Sequence, residues 1–387
     1  MSTHSTRWTV IGATGAVGRE VLQILEGRGI PANAMRVAAS ERSIGTSIAY
    51  GDSQLILQDP LELAWEPRDI AILAADAPTA QTLAPRIFEA GGTAIDNSSA
   101  FRLAPGVPLV VPEVNPEKLP RSRHGAIIAN PNCSTILLLV ALEPLRRSWG
   151  VSKIVVSTYQ AVSGAGLPAM RELQEQTRAV LAGEASEPHV FREPCAFNLF
   201  SHDSAVDVET GLNGEERKII DEARKIWDSP TLQLIPTCVR VPVLRAHTQS
   251  VLITLQRPAT LRQVQAAFLC ASGIQIVDDR AANSFPTPQR ATGRDDVLVG
   301  RLRPAAAQDV DDVTPVTDFC LLLSGDQLRK GAALNAVQIA EALLQAEPSE
   351  PVSSSESRVH TFNSLRQKET RPTRVASGEV VSQTVGA

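Results

Sequence analysis

A short apolar strand, Trp8-Thr9-Val10-Ile11, runs directly into Gly12-Ala13-Thr14-Gly15-Ala16-Val17-Gly18. An amphipathic stretch follows at residues 19–25, with Val21, Leu22 and Leu25 on one helical face. Strand, glycine-rich turn and helix, in that order, constrain this chain more than any other feature. Glycine permits the tight turn and lets the backbone approach a pyrophosphate, which then rests on the unpaired N–H groups of the helix N-terminus. The spacing is GxxGxxG rather than GxGxxG. A bare structural turn is the competing reading, and the flanking strand and helix favour nucleotide binding.

The pattern continues as strand and helix in alternation. Strands are predicted at residues 35–39, 69–75, 93–96, 108–112 and 126–129, with a helix at 79–90. The apolar run at 69–75 suits a strand buried on both faces. Such alternation predicts an α/β, Rossmann-type doubly wound parallel sheet. After Cys133 the pattern changes to long strands at 153–161, 232–243, 247–256 and 318–323, interrupted by helices at 169–181, 215–227 and 261–271. This predicts a second, α+β domain with a mainly antiparallel sheet. The amphipathic helix at 327–345 is expected to return to the first domain. The expected division is therefore residues 1–133 with 328–347 for the nucleotide-binding domain, 134–327 for the second domain, and 348–387 as a polar, disordered tail.

The chain's 387 residues suffice for two cores, and its formal charge of −5 gives no case for nucleic acid as a partner. No apolar run approaches the ~20 residues of a membrane span. The first residues lack the apolar core of a signal peptide. Cys133, Cys195, Cys238, Cys270 and Cys320 are odd in number and form no CxxC, which fits reduced thiols in a cytoplasmic protein. No metal-ligand cluster is visible.

Cys133 stands apart from the other four. It lies in Asn130-Pro131-Asn132-Cys133-Ser134-Thr135, at the start of an apolar run, 136–145, that reads as a buried helix. A thiol at a helix N-terminus is expected to have a lowered pKa, and the free N–H groups there can hold an oxyanion. Acyl or aldehyde chemistry coupled to hydride transfer follows from pairing this cysteine with the nucleotide loop. At the end of the second strand stand Ser40, Glu41, Arg42 and Ser43. A carboxylate there favours a free ribose 2′-hydroxyl. Arginine with hydroxyls beside it favours a 2′-phosphate, and on that ground NADP is the expected cofactor. Arg102 and Arg240 suit an anionic substrate, with Arg245 an alternative to Arg240. His247 is a candidate acid/base and His202 its rival. Glu215 and Lys218, three apart on a helix, read from sequence alone as an exposed ion pair.

These segments resemble the aspartate-semialdehyde dehydrogenase family. The matches are GATGAVG at 12–18, ASERS at 39–43, DNSSAFR at 96–102, VVPEVNP at 110–116, NPNCSTI at 130–136, TYQAVSGAG at 158–166, CVRVPVLRAH at 238–247 and LRKGAALNAVQIAE at 328–341. The resemblance spans residues 8–346. It implies NADPH-dependent reductive dephosphorylation of L-aspartyl 4-phosphate to L-aspartate 4-semialdehyde, on the way to lysine, methionine and threonine. Carried over by motif, Cys133 is the nucleophile, His247 the acid/base and Gln160 the residue that orients the substrate. Arg240 binds the α-carboxylate and Glu215 the α-amino group, while Lys218 and Arg102 hold the phosphate. Gly12, Thr14, Gly15, Ala16, Val17, Gly18, Ser40, Arg42, Ser43, Ser163, Gly164 and Asn335 belong to the cofactor site. A homodimer or homotetramer assembled through the second, catalytic and dimerisation domain is implied too. Thr46 stands where a lysine is frequent in the family, Gln327 where an asparagine is, and Phe200 where a proline is. The alternatives are a reductase of N-acetyl-gamma-glutamyl phosphate, which needs no partner for a free amine, and a non-catalytic nucleotide-binding regulatory protein.

Overall fold

The computed structural model describes residues 6–121, 125–305 and 311–345. The expected disordered tail, 348–387, lies outside them. The first sheet contains β1 (Trp8–Ile11), β2 (Met35–Ala38), β3 (Ser47–Tyr50), β4 (Ser53–Gln58), β5 (Ile70–Leu73), β6 (Thr93–Asp96) and β7 (Ala126–Ala129), in the order β3-β4-β2-β1-β5-β6-β7. Every pairing except β3 with β4 is parallel. The strand order reverses about β1, so the loop leaving β1 lies at the crevice where doubly wound sheets bind ligands. Helices α1 (Ala16–Gly27), α2 (Ala77–Glu89) and α3 (Cys133–Trp149) follow β1, β5 and β7.

The second sheet is built from β8 (Val151–Gln160), β9 (Phe200–Ser201), β10 (Gln233–Arg240), β11 (His247–Ala259), β12 (Ile274–Ile276), β13 (Val297–Pro304) and β14 (Val316–Gly325). Their order is β12-β13-β14-β11-β8-β10-β9, mainly antiparallel, with β8–β10 and β12–β13 parallel. Its helices are α4 (Gly166–Ala182), α5 (Gly214–Ile226), α6 (Leu261–Leu269) and the single turn α7 (Pro288–Ala291). Strand periodicity decides what faces what. Arg240 pairs with Gln160 and Thr248 with Tyr159, so Thr158, Gln160, Arg240, His247 and Gln249 share one face, and all five are buried. Helices α3 and α5 pack against that face. The opposite face leaves Tyr159 and Ile235 exposed.

The chain closes with a π-helical turn, Arg329–Ala333, and α8 (Leu334–Gln345). Leu334, Val337, Ile339 and Leu343 of α8 join one core cluster with Val10, Val21, Val37 and Ile72. Each such side chain contributes about 1.5–3 kcal/mol by leaving water.

Three local expectations change. Residues 108–112 form no strand; Leu109 makes one isolated bridge to Ala129, because the flanking prolines donate no ladder hydrogen bond. The hairpin β3–β4 was missed, although Ile48 and Tyr50 alternate with exposed residues and Gly51, at φ +54°, makes the two-residue turn with Asp52. Strand β13 was hidden by Gly300 and Arg301. There the register against β14 shifts, Arg301 adopts φ +55°, and a Cβ at position 300 would lie 2.0 Å from the carbonyl oxygen of Val277.

Candidate active site

The nucleotide loop has the form its glycines require. Gly12 adopts φ +78°, and a Cβ there would lie 2.2 Å from the carbonyl oxygen of Ala74. A Cβ at Gly18 would lie 2.2 Å from the carbonyl oxygen of Gly12, so only hydrogen lets α1 lie this close to the turn. The turn is tied to the end of β2, since Gly12 N–H and Ala13 N–H both donate to Ala38 C=O at 2.9 and 3.1 Å. Helix α1 starts at Gly15 with no side-chain cap, which leaves its first N–H groups, at Ala16 and Val17, open to an anion. This arrangement fits a pyrophosphate. Ser40, Glu41 and Arg42 lie exposed at the end of β2, and Arg42 makes no ion pair among the described residues. The missing lysine at Thr46 leaves a hydroxyl that donates to Ser43 C=O at 2.7 Å.

Cys133 is the first residue of α3. Asn132 caps the helix by accepting from Ser134 N–H and Thr135 N–H at 2.9 and 3.2 Å. Two donors expected to hold an oxyanion are therefore taken. The thiol also departs from expectation. Its pKa is pushed up to about 11, first by burial and then by the Glu215 carboxylate, which outweigh Arg102, the backbone N–H of Ser134 and Arg240. The sulfur lies 3.6 Å from His247 Nε2. On the ring's other side Ala161 N–H donates to Nδ1 at 3.0 Å. Burial and the neighbouring Arg240 bring the imidazole down to about 3, so the ring is neutral at physiological pH. Behind the nucleophile, a Cβ at Gly331 would meet the Cβ of Cys133 at 3.0 Å, so the π-helical turn backs directly onto it.

Helix α5 presents Glu215, Lys218 and Glu222 along one face. Glu215 is a buried hub: it accepts from Asn132 Nδ2 at 2.8 Å, Gln160 Nε2 at 3.3 Å and Lys218 Nζ at 3.3 Å. Lys218, His202 and Asn132 carry its carboxyl below the ordinary range, to about 2, against the opposing cost of burial. The exposed-pair reading of Glu215 thus fails, and Lys218 itself is half-buried. Glu222 was missed in the sequence. It accepts from Asn132 N–H at 2.6 Å and pairs with Arg102 Nη1 at 3.0 Å. Its position seven residues after Glu215 was the available signal. Arg102 also donates from Nε to Asn130 C=O and from Nη2 to Asn97 C=O, which leaves two of its five N–H groups unengaged.

Arg240 donates from Nη2 to His202 Nε2 and Asp203, both at 2.9 Å, and from Nη1 to Ala161 C=O at 3.1 Å. Its Nε–H is buried without a partner. An orphaned donor costs about 1–3 kcal/mol, so a ligand oxygen suits that position. A Cβ at Gly164 would lie 3.3 Å from Arg240 Nη1 and 3.5 Å from His247 Nε2, which puts the guanidinium, the imidazole and the Ser163-Gly164 turn around one space. Arg245 is engaged elsewhere, with Glu20 of α1 and with Asp326 at 2.8 and 2.7 Å. Gln327 accepts from Ala246 N–H at 2.8 Å and donates to the Ser163 hydroxyl, so it braces both neighbours of the imidazole. Asn335 is saturated below the site: its amide donates to Val110 C=O and Asn130 Oδ1, and its oxygen accepts from the buried Lys330.

Comparison with known proteins finds relatives over most of the chain. The family model for the NAD-binding domain of semialdehyde dehydrogenases matches residues 7–122, and the model for their dimerisation domain matches 142–330. Aspartate-semialdehyde dehydrogenase of Synechocystis sp. is 43% identical over 339 residues, covering 88% of this chain and 97% of its own length. The enzyme of that name from Bacillus subtilis is 41% identical over 342 residues, covering 86% and 96%. The crystal structure of aspartate semialdehyde dehydrogenase II from Vibrio cholerae, complexed with ASA, superposes with a TM-score of 0.83 at 38% identity, covering 89% of this chain and 99% of that one.

Proposed function

The chain belongs to the aspartate-semialdehyde dehydrogenase family, and on that premise we propose that Cys133 is its nucleophile and His247 the group that governs the proton at the reacting centre. The reaction is the reversible, nicotinamide-dependent reductive dephosphorylation of L-aspartyl 4-phosphate to L-aspartate 4-semialdehyde, a step of amino-acid biosynthesis. The observation that carries the residue assignment is the 3.6 Å contact between the Cys133 sulfur and His247 Nε2, with Glu215 and Arg240 buried beside it.

The substrate carries an amine, a carboxylate and a phosphate. Glu215, ionised and buried, suits the ammonium; Arg240, with its orphaned Nε–H, suits the carboxylate; the open N–H groups of Arg102 and the half-buried Lys218 suit the phosphate. Gln160, bonded to Glu215, orients the chain between them. Sulfur attacks the acyl carbon and phosphate leaves, giving a thioester. A nicotinamide cofactor held by the Gly12–Gly18 loop would supply a hydride to the thioester carbon, giving the thiohemiacetal as its oxyanion. Collapse of that species releases the aldehyde and restores the cysteine.

Residues 1–133 with 328–347 would hold the nucleotide, through Gly12, Thr14, Gly15, Ala16, Val17 and Gly18, with Ser163 and Gly164 as further residues of the cofactor site. Asn335 acts through Asn130. Arg42, exposed between Ser40 and Ser43 and without an ion pair among the described residues, makes NADP the preferred cofactor. The uncovered face of the second sheet, with Tyr159 and Ile235, is the surface on which residues 134–327 form a homodimer or the dimers of a homotetramer. No helix among the described residues is long and apolar enough to cross a membrane, and the cytoplasm is the proposed location.

The test is NADP reduction with L-aspartate semialdehyde and phosphate. Phosphate-dependent turnover by the wild type, lost in Cys133→Ala, is the expected result. Glu215→Ala is expected to raise KM for the semialdehyde; unchanged KM and kcat overturn its role and favour a substrate without a free amine.

A further inference from the structure

Each cation offered to the substrate already has a carboxylate beside it. Arg102 pairs with Glu222 at 3.0 Å, Lys218 with Glu215 at 3.3 Å and Arg240 with Asp203 at 2.9 Å. The three pairs are not equivalent. Glu215 and Glu222 are buried on helix α5 and both bond Asn132, so they belong to the frame that holds Cys133. Asp203 lies just past β9, outside any helix or strand, and its side chain is 30% exposed. Burial opposes its charge, yet the hydrogen bond and charge of Arg240 hold its carboxyl below the ordinary range, so it is ionised at neutral pH.

Arg240 itself is buried. A guanidinium left unpaired at that depth is costly, and Asp203 removes the cost while the site is empty. Phe191 covers one face of the group, its ring centroid 5.1 Å from Cζ, so a ligand anion has to approach in the guanidinium plane. In that plane Nη1 bonds Ala161 C=O, Nη2 bonds His202 and Asp203, and Nε–H is unpaired. A carboxylate arriving at Nε thus meets a cation whose charge is already balanced, with a second anion on the same planar group.

We infer that Asp203 sets the affinity of this site for the substrate α-carboxylate: it competes for Arg240, keeps the empty pocket neutral and weakens ground-state binding, so that the bound amino acid leaves readily. The inference rests on the assignment of Arg240 to the α-carboxylate. Two unit charges ~6 Å apart, at an effective dielectric constant of ~20, repel enough to change an affinity about a hundredfold. Solvent reaches Asp203 and screens part of that, leaving about five- to twentyfold. Binding lost equally by substrate and transition state shows in KM and not in kcat, so Asp203 tunes occupancy without slowing the chemistry.

The test is Asp203→Asn in the full-length enzyme. The change is nearly isosteric, and an amide oxygen still accepts from Arg240 Nη2, so the hydrogen bond stays while the charge goes. KM for L-aspartate semialdehyde is expected to fall about five- to twentyfold without a matching rise in kcat, and KM for phosphate and for NADP to stay as in wild type. The inhibition constant of L-2-aminobutyrate, which carries the amine and carboxylate without the aldehyde, should fall by the same factor. Raising salt to about 0.5 M should narrow the gap between variant and wild type, because Asp203 is partly in solvent. Unchanged constants overturn the proposal. A raised KM overturns it too, since Asp203 would then hold Arg240 in place or seat the ammonium. Arg240→Gln separates this inference from its premise. If that variant raises KM while Asp203→Asn does nothing, the inference alone fails; if Arg240→Gln leaves KM and the inhibition constant unchanged, the carboxylate assignment beneath it fails.

Discussion

Helices α1 and α3 begin alike and serve different ends. Each follows a parallel strand of the same sheet, β1 or β7, and each presents its N-terminus at the strands' carboxyl edge. Helix α1 begins at Gly15 without a side-chain cap. Helix α3 begins at Asn132, whose oxygen occupies the N–H groups of Ser134 and Thr135 and whose amide is tied to Glu215. The open end can take an anion; at the closed end two N–H groups are already engaged, and the helix start holds one side chain, Cys133, beside His247. Position in the fold therefore makes a helix N-terminus available, and the cap decides whether it binds or positions.

The contrast breaks first at Gly12. Gly12→Ala forces a Cβ to within 2.2 Å of a backbone oxygen at φ +78°. We expect loss of cofactor binding and about 2–5 kcal/mol of stability, read by nucleotide titration and urea unfolding. The closed end breaks at Asn132. Asn132→Ala should cost about 1 kcal/mol as a lost cap. By loosening Cys133 and Glu215 it should also lower kcat about 10²-fold, with KM for the cofactor unchanged. A variant that loses cofactor affinity instead would erase the distinction between the two helices.

Arg42→Ala sharpens the account of the open end. NADP should lose about ten- to a hundredfold in affinity while NAD is unaffected, measured as the ratio of the two KM values. Equal loss for both would remove Arg42 from the phosphate. The smallest effect is on acid stability. Glu215 is held at about 2 against an ordinary 4.5, so its contribution is full above 4.5 and is lost as pH falls through 2. His247 stays neutral down to about 3, whereas an unfolded ring takes up its proton near 6.5, so stability also falls as pH drops across that interval. Urea midpoints should therefore decline below pH 6.5, with Glu215→Gln flattening the lower part of the slope and His247→Gln the upper.

Much of this is legible in the sequence. Strand, glycine turn and helix at the start of the chain, the cysteine after Asn132, and the period-two strands that carry Gln160, Arg240 and His247 all stood in the sequence. Glu222 was legible in principle, because helical periodicity sets it beneath Glu215 and Lys218. What was not legible depends on which groups meet across the fold. Nothing local announces that Asp203 neutralises Arg240, that Gln327 braces Ala246, or that Ala161 N–H meets His247. The thiol is raised rather than lowered because burial and the Glu215 carboxylate, both set by tertiary packing, outweigh Arg102, the Ser134 N–H and Arg240.

The central claim is that the closed helix end holds a cysteine that carries the acyl group. The most direct test is intact-mass and peptide mass spectrometry of the enzyme mixed with L-aspartate semialdehyde and NADP in the absence of phosphate. The account predicts a single aspartyl adduct on the peptide containing Cys133, discharged when phosphate is added and absent in Cys133→Ala. An adduct on another residue, or NADPH formation by Cys133→Ala at the wild-type rate, would contradict it.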